Sequence, residues 1–122
     1  MRELQEKLNG FLKLSHIRRT KEELTSLYDH LIDEEYEELN GEYPRTYEEF
    51  KELCDLLWVI IQYANVQGYD LEKGMNALCD EYKSKFYTKD GLYAPIYRQD
   101  GKLLKNTGFK PANFKELYNK DE

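Results

Sequence analysis

Two short acidic strings hold the chemistry available to this chain. Glu34-Glu35-Tyr36-Glu37-Glu38 is followed, after thirteen residues, by Glu52-Leu53-Cys54-Asp55. Carboxylates three residues apart lie on one face of a helix, about one turn from each other. Asp55 is the most demanding of them, because the nine residues Leu53–Ile61 contain eight apolar side chains and this one acid. A lone buried carboxylate is strongly disfavoured unless it takes up a proton, so the position calls for a partner.

Helical projection shows where the other acids point. At about 100° per residue, Leu24, Leu27, Tyr28, Leu31, Ile32 and Leu39 fall within about 80° of Glu35, and Glu38 lies about 60° away among them. Asp33 and Glu37 project to the opposite side, and Glu34 sits on the margin. Glu52 and Asp55 share a face with Glu48 and Val59. Each of two helices thus offers an inward pair of acids. Four converging carboxylates would repel one another and lose hydration, and divalent cations remove both penalties. An all-oxygen donor set without His or Cys suits hard ions, so Mg²⁺ is expected, with Mn²⁺ as the alternative. The competing reading is a solvated acidic face with Asp55 paired to an arginine such as Arg18 or Arg19. Two inward pairs on consecutive helices favour the metal.

The elements that must position these residues are helices. Apolar spacing predicts a first helix over about 3–15 and a second over about 20–40, where Thr20 and Glu23 form a capping box. The break "NGEYP" precedes a third helix from near Thr46 to about Val66, closed by Gly68. Asp70 is placed to cap a fourth helix over about 71–87, with Leu71, Met75, Leu78, Tyr82 and Phe86 on its apolar stripe. Beyond it, Asp100-Gly101 between short β-prone runs predicts a hairpin or extended arm, and "KPANFKELYNK" a short last helix. The expected architecture is all-α: a four-helix core over 1–88, and an arm over 89–122 that packs on the core or on a neighbouring subunit.

Composition limits the function classes. The chain has 122 residues, 34% charged and 40% hydrophobic, one domain by length, and its apolar runs are too short to span a bilayer. The N-terminus lacks the pattern of a signal peptide, so the cytoplasm is the expected compartment. Cys54 and Cys79 have no metal-like spacing with His16 or His30 and are expected to be buried thiols. Residues 1–81 hold 9 Lys and Arg against 19 Asp and Glu, whereas residues 82–122 hold 9 against 5. An acidic body argues against a nucleic-acid binder, and a basic tail suits an anionic ligand or the acidic surface itself.

The order and gap of the acidic strings resemble the EExxE, spacer, ExxD signature of the MazG-like all-α nucleoside triphosphate pyrophosphohydrolases. The resemblance covers most of the chain, including the "NVQGYD" turn and a following helix that ends "YKSKF". There Lys85 matches the family's lysine, while Tyr82 stands where the family has asparagine and inherits no role. The resemblance implies Mg²⁺-dependent hydrolysis of a (deoxy)nucleoside triphosphate to the monophosphate and pyrophosphate. Glu35, Glu38, Glu52 and Asp55 would hold the metal, and Glu34 or Glu38 would accept the proton of the attacking water.

Further along the chain, Lys85 projects about 20° from Leu78 on the core-facing stripe, where either its charge binds an anion or its stem packs while the amine reaches water at the helix end. Arg98, Lys102 and Lys105 are candidates to close over the β and γ phosphates. A third helix that is apolar all round needs more cover than its neighbours supply, which predicts a homodimer or homotetramer with Trp58 in packing or a subunit contact. Two alternatives stand beside this reading. One is a related enzyme acting on dUTP, dCTP or phosphoribosyl-ATP. The other is a non-catalytic helical interaction module whose acidic face binds a basic partner.

Overall fold

In the computed structural model, which describes residues 1–16 and 18–118, the chain is mostly helical with one two-stranded sheet. The helices are α1 (Arg2–Ser15), α2 (Lys21–Asn40), α3 (Tyr47–Gln67), α4 (Leu71–Ser84) and α5 (Phe114–Tyr118); the strands are β1 (Ile96–Tyr97) and β2 (Leu103–Leu104). No helix among the described residues is long and apolar enough to cross a membrane. By density of contacts the chain forms two compact units, residues 1–71 and 72–122. The sequence reading drew its boundary after residue 88. Here α4 belongs with the tail, because the Ser84 hydroxyl and the Glu81 carboxylate accept the Lys110 and Ala112 amides, at 2.8 and 2.9 Å.

In the first unit α3 packs against both α1 and α2. Leu12, Tyr28 and Val59 form the buried core, with Leu24, Leu31, Leu56 and Val66 packed around them. Gln62 is fully buried and paired at both ends of its amide: its Nε2 donates to the Leu8 carbonyl at 2.9 Å, and its Oε1 accepts from Asn65 at 3.0 Å. An unmet amide there would be costly, so this pairing fixes α1 against α3. The ends of α2 and α3 follow the local signals. Thr20 Oγ1 accepts the Glu23 amide and Glu23 returns the bond to the Thr20 amide, which completes the capping box. Thr46 caps α3 through the Glu49 amide, but the Glu49 carboxylate accepts from Arg45 instead. Gly68 closes α3 at φ 81°, a left-handed conformation that glycine adopts without strain. The Asp70 carboxylate just before α4 accepts from Arg2 at 3.3 Å.

In the second unit α4 stops at Ser84, short of the expected residue 87. The Ser84 hydroxyl donates to the Glu81 carbonyl at 2.6 Å, a side-chain bond that competes with the helical ladder. Phe86 and Tyr87 then leave the helix, with the Phe86 carbonyl accepting the Ala94 amide and Tyr87 bridging to Tyr93. The expected hairpin is present: Ile96 pairs with Leu104 and Tyr97 with Leu103, and Gly101 in the turn has φ 96°. Gly108 has no room for a side chain, since a Cβ there would lie 2.5 Å from the Thr88 carbonyl oxygen. Asn113 caps α5 through the Glu116 amide at 3.0 Å. Residues 119 and 120, which the sequence reading included in the last helix, lie outside the described residues.

One burial expectation is corrected. Both cysteines are exposed: Cys54 lies on a flank of α3, and Cys79 on α4, which contains no fully buried residue. The apolar run of α3 exceeds the cover its neighbours supply, as its all-round apolar character implies. Val59 and Ile61 are buried, but Leu53, Leu57 and Ile60 face outward, and Trp58 packs edge-on against Phe11 with centroids 5.2 Å apart.

Candidate metal centre

Packing of α2 against α3 brings the acidic faces of the two helices together. One carboxylate oxygen from each of Glu35, Glu52 and Asp55 lies within 4.8 Å of the others. Glu35 enters from α2, and Glu52 and Asp55 from successive turns of α3. All three residues are half-buried. Glu38 is more exposed, yet its charge acts on both Glu35 and Glu52. Of the four acids expected to converge, Glu35, Glu52 and Asp55 come together, and Glu38 lies outside that group of three.

The electrostatics follow from that crowding. Burial is the first cause that raises the Glu35 pKa, followed by the Glu38 charge, then by Asp55 and Glu52. Burial likewise leads in raising Glu52, with Glu38 next and Lys51 opposing. Such shifts mean that the negative forms lack compensation. Glu35 Oε2 and Glu52 Oε2 show this directly, because both atoms are buried without a hydrogen-bond partner among the described residues. Orphaned carboxylate oxygens of this kind suit a hard cation, and the residues present fit Mg²⁺ or Mn²⁺ by donor type.

Asp55 does have one partner. The Lys51 ammonium donates to Asp55 Oδ2 at 2.8 Å from one helical turn away, and Arg18 and Arg19 are not the counter-ions of this pair. The hydrogen bond and charge of Asp55 raise the Lys51 pKa, with further contributions from Glu52 and Glu35. One ammonium faces three carboxyl groups, so Lys51 offsets only part of the charge. Sequence reasoning missed Lys51, although the spacing of four to Asp55 was the available signal. It also missed Glu42, which reaches into the field of Glu52 from beyond the end of α2.

Glu34, the other acid expected at the site, is not part of the cluster. Glu34 pairs with His30 at 2.8 Å on the exposed side of α2. The four cations belong to the second unit. Lys85 follows the end of α4 instead of lying on it, and its ammonium sits 4.6 Å from the Tyr82 ring centroid. Arg98 grips Asp100 through two bonds of 2.8 and 2.6 Å. Lys105 lies over the Phe109 ring at 4.7 Å, and Lys102 is exposed beside the hairpin turn. No family model, curated protein or solved structure matches this chain.

Proposed function

We propose that this chain is a Mg²⁺-dependent nucleoside triphosphate pyrophosphohydrolase, MazG-like in fold and cutting between the α and β phosphates. The observation that supports it most is the meeting of Glu35, Glu52 and Asp55 within 4.8 Å with two buried, unpartnered oxygens. An all-carboxylate pocket repels a triphosphate unless cations lie between them, so acid crowding and substrate charge require the same intermediary. Bound there, a divalent ion would neutralise the phosphates and polarise the α-phosphoryl oxygen. Glu35, Glu52 and Asp55 are the residues to hold it.

The protein's own part is positioning and proton transfer. Water supplies the oxygen that bonds to the α-phosphorus, the bridging bond to the β phosphate breaks, and pyrophosphate departs. The proton of that water passes to a carboxylate. Glu38 suits the role better than Glu34, since it adjoins the cluster through Glu35 and is exposed enough to exchange protons with solvent, whereas His30 engages Glu34.

The Lys51–Asp55 pair favours a second reading, a non-catalytic module, because an internal cation already answers part of the charge. Thermal melting with increasing Mg²⁺ separates the two, since an ion bound only by the folded state raises the midpoint with concentration. The enzyme reading expects that rise together with pyrophosphate release from at least one member of a triphosphate panel that includes dUTP and dCTP. A flat midpoint, or orthophosphate as the sole phosphorus product besides the nucleotide, would overturn it.

A further inference from the structure

The acidic cluster carries a cation of its own. Lys51 stands one turn before Asp55 on α3, and its ammonium donates to Asp55 Oδ2 at 2.8 Å. Helical spacing offers Lys51 a second acid, because Glu48 lies one turn before it. On an isolated helix the order with the acid first is the more favourable one. The ammonium nevertheless takes Asp55, and the charges that act on it are those of Asp55, Glu52 and Glu35, the three acids of the cluster. Glu49, the other acid at the start of α3, accepts the Arg45 amide. The hold on Asp55 is light. The Lys51 side chain is 70% exposed, and an exposed pair four residues apart on a helix adds little to stability.

From this arrangement we infer that Lys51 is a substrate-binding residue that changes partners: it holds Asp55 in the resting protein and turns to the phosphates of the triphosphate once a divalent cation takes the carboxylate oxygens. This role rests on the proposed metal site, and it names the cation that the first unit supplies to the substrate.

Charge decides the exchange. Three carboxylates carry three negative charges, and one ammonium leaves two of them unanswered. A divalent ion bears twice the charge and approaches oxygen to about 2.0–2.1 Å, against 2.8 Å for the ammonium, so its attraction per oxygen is about 2.7 times larger. Asp55 therefore goes to the ion. Lys51, left beside a metal that gathers phosphates, meets a stronger anion than the one it released. Lysine suits such a transfer, since its ammonium is a compact point charge on a flexible stem and serves a phosphate without a fixed geometry. In the second unit, Arg98, Lys85 and Lys105 rest on Asp100, the Tyr82 ring and the Phe109 ring, none of which a metal claims. Lys51 differs because its partner is a metal ligand.

The test measures two affinities expected to change in opposite directions. Mn²⁺ binding to the full chain is followed by the paramagnetic resonance of the free ion. Inorganic tripolyphosphate, which carries the phosphates without committing to a base, is titrated by calorimetry at saturating Mg²⁺. In Lys51→Met, Mn²⁺ should bind at least about twofold more tightly, because no ammonium competes for Asp55, and tripolyphosphate at least about tenfold more weakly. Lys51→Arg, which keeps the charge, should regain most of the tripolyphosphate affinity. Lys21→Met, about 21 Å from Glu35 along α2, measures the effect of charge at a distance and should change neither value as much as twofold. Lys51 is exposed, so its loss removes no core contact; should Lys51→Met unfold, Lys51→Gln carries the same two expectations. Mn²⁺ affinity that is unchanged or weakened, or tripolyphosphate affinity that is unchanged, overturns the inference and leaves the metal site standing. A wild-type chain that binds no Mn²⁺ removes the metal site itself, and the role of Lys51 with it.

Discussion

In the first unit, carboxylates from α2 and α3 crowd within 4.8 Å while one ammonium answers them. In the second, Arg98 meets Asp100 two residues away, and Lys85 and Lys105 each lie over a nearby aromatic ring. The difference comes from the backbone. A long helix holds its side chains at fixed directions, so charges on one face are carried to whatever packs opposite, however unfavourable the meeting. Around a tight hairpin and in irregular chain, a long side chain can turn to the nearest partner. Accumulated charge of one sign on rigid elements therefore points to something from outside, whereas locally matched charge points to structure.

The sharpest way to break that contrast is to neutralise single acids inside and outside the cluster. On the proposed reading, Glu35→Gln and Asp55→Asn each lower the rate of pyrophosphate release by at least about 100-fold, the upper end of what even outer partners of a metal contribute. Glu34→Gln, whose carboxylate pairs with His30, changes it little. In the absence of metal the order of stability runs the other way, because Glu35→Gln removes a repelled charge and raises the melting midpoint above wild type. Equal loss of activity in Glu34→Gln and Glu35→Gln would show that the crowded acids hold no special place.

The pH dependence of stability offers a smaller effect with opposite signs in the two units. Glu35 and Glu52 titrate above the ordinary glutamate value of 4.5 when folded. Their contribution is fully present below 4.5, where both states are protonated, and is lost as pH rises through the raised folded values. Asp100 is the reverse: the hydrogen bond from Arg98, then that from the Lys102 amide, holds it below 3.8, so its contribution is present above that value and lost as the medium acidifies through the lower folded value. Metal-free Glu35→Gln should thus lose part of the decline seen in wild type above pH 4.5, and Asp100→Asn should lose part of the decline at the acid end. Melting curves over the acidic range, taken for each variant against wild type, check both. A Glu35→Gln profile parallel to wild type at all pH values contradicts crowding as the cause.

How far the sequence disclosed this arrangement depends on how regular the backbone is. Thr20 with Glu23, Thr46, Gly68 and the Asp100-Gly101 turn were legible because each acts through bonds or dihedral angles within a few residues. The inward direction of Glu35, Glu52 and Asp55 was legible because helical rotation is constant. Lys51 was overlooked because a buried acid suggested a distant partner, while the nearer one lay a single turn away on the same helix. The end of α4 was misjudged because the apolar stripe continues through Phe86, and only the Ser84 hydroxyl bond and the pairing of Tyr87 with Tyr93 show why the helix stops earlier. Exposure of Cys54 was not legible, since apolar content tells what prefers cover and not which residues of a helix the neighbours reach.

The smallest expected effect tests the other half of the contrast. If Arg98 serves the hairpin, Arg98→Ala should leave pyrophosphate release within about twofold of wild type, as for surface substitutions generally. Amide exchange at Arg98 and Gly101, whose N–H groups bond to the Lys102 and Arg98 carbonyls, should quicken as the turn loosens. Conversely, a tenfold or larger fall in rate with unchanged exchange would mean that Arg98 abandons Asp100 for the phosphates during turnover. A satisfied pair in the resting protein would then be a store of charge awaiting a stronger anion. Local matching in the tail, unlike crowding on the helices, would cease to separate structure from function.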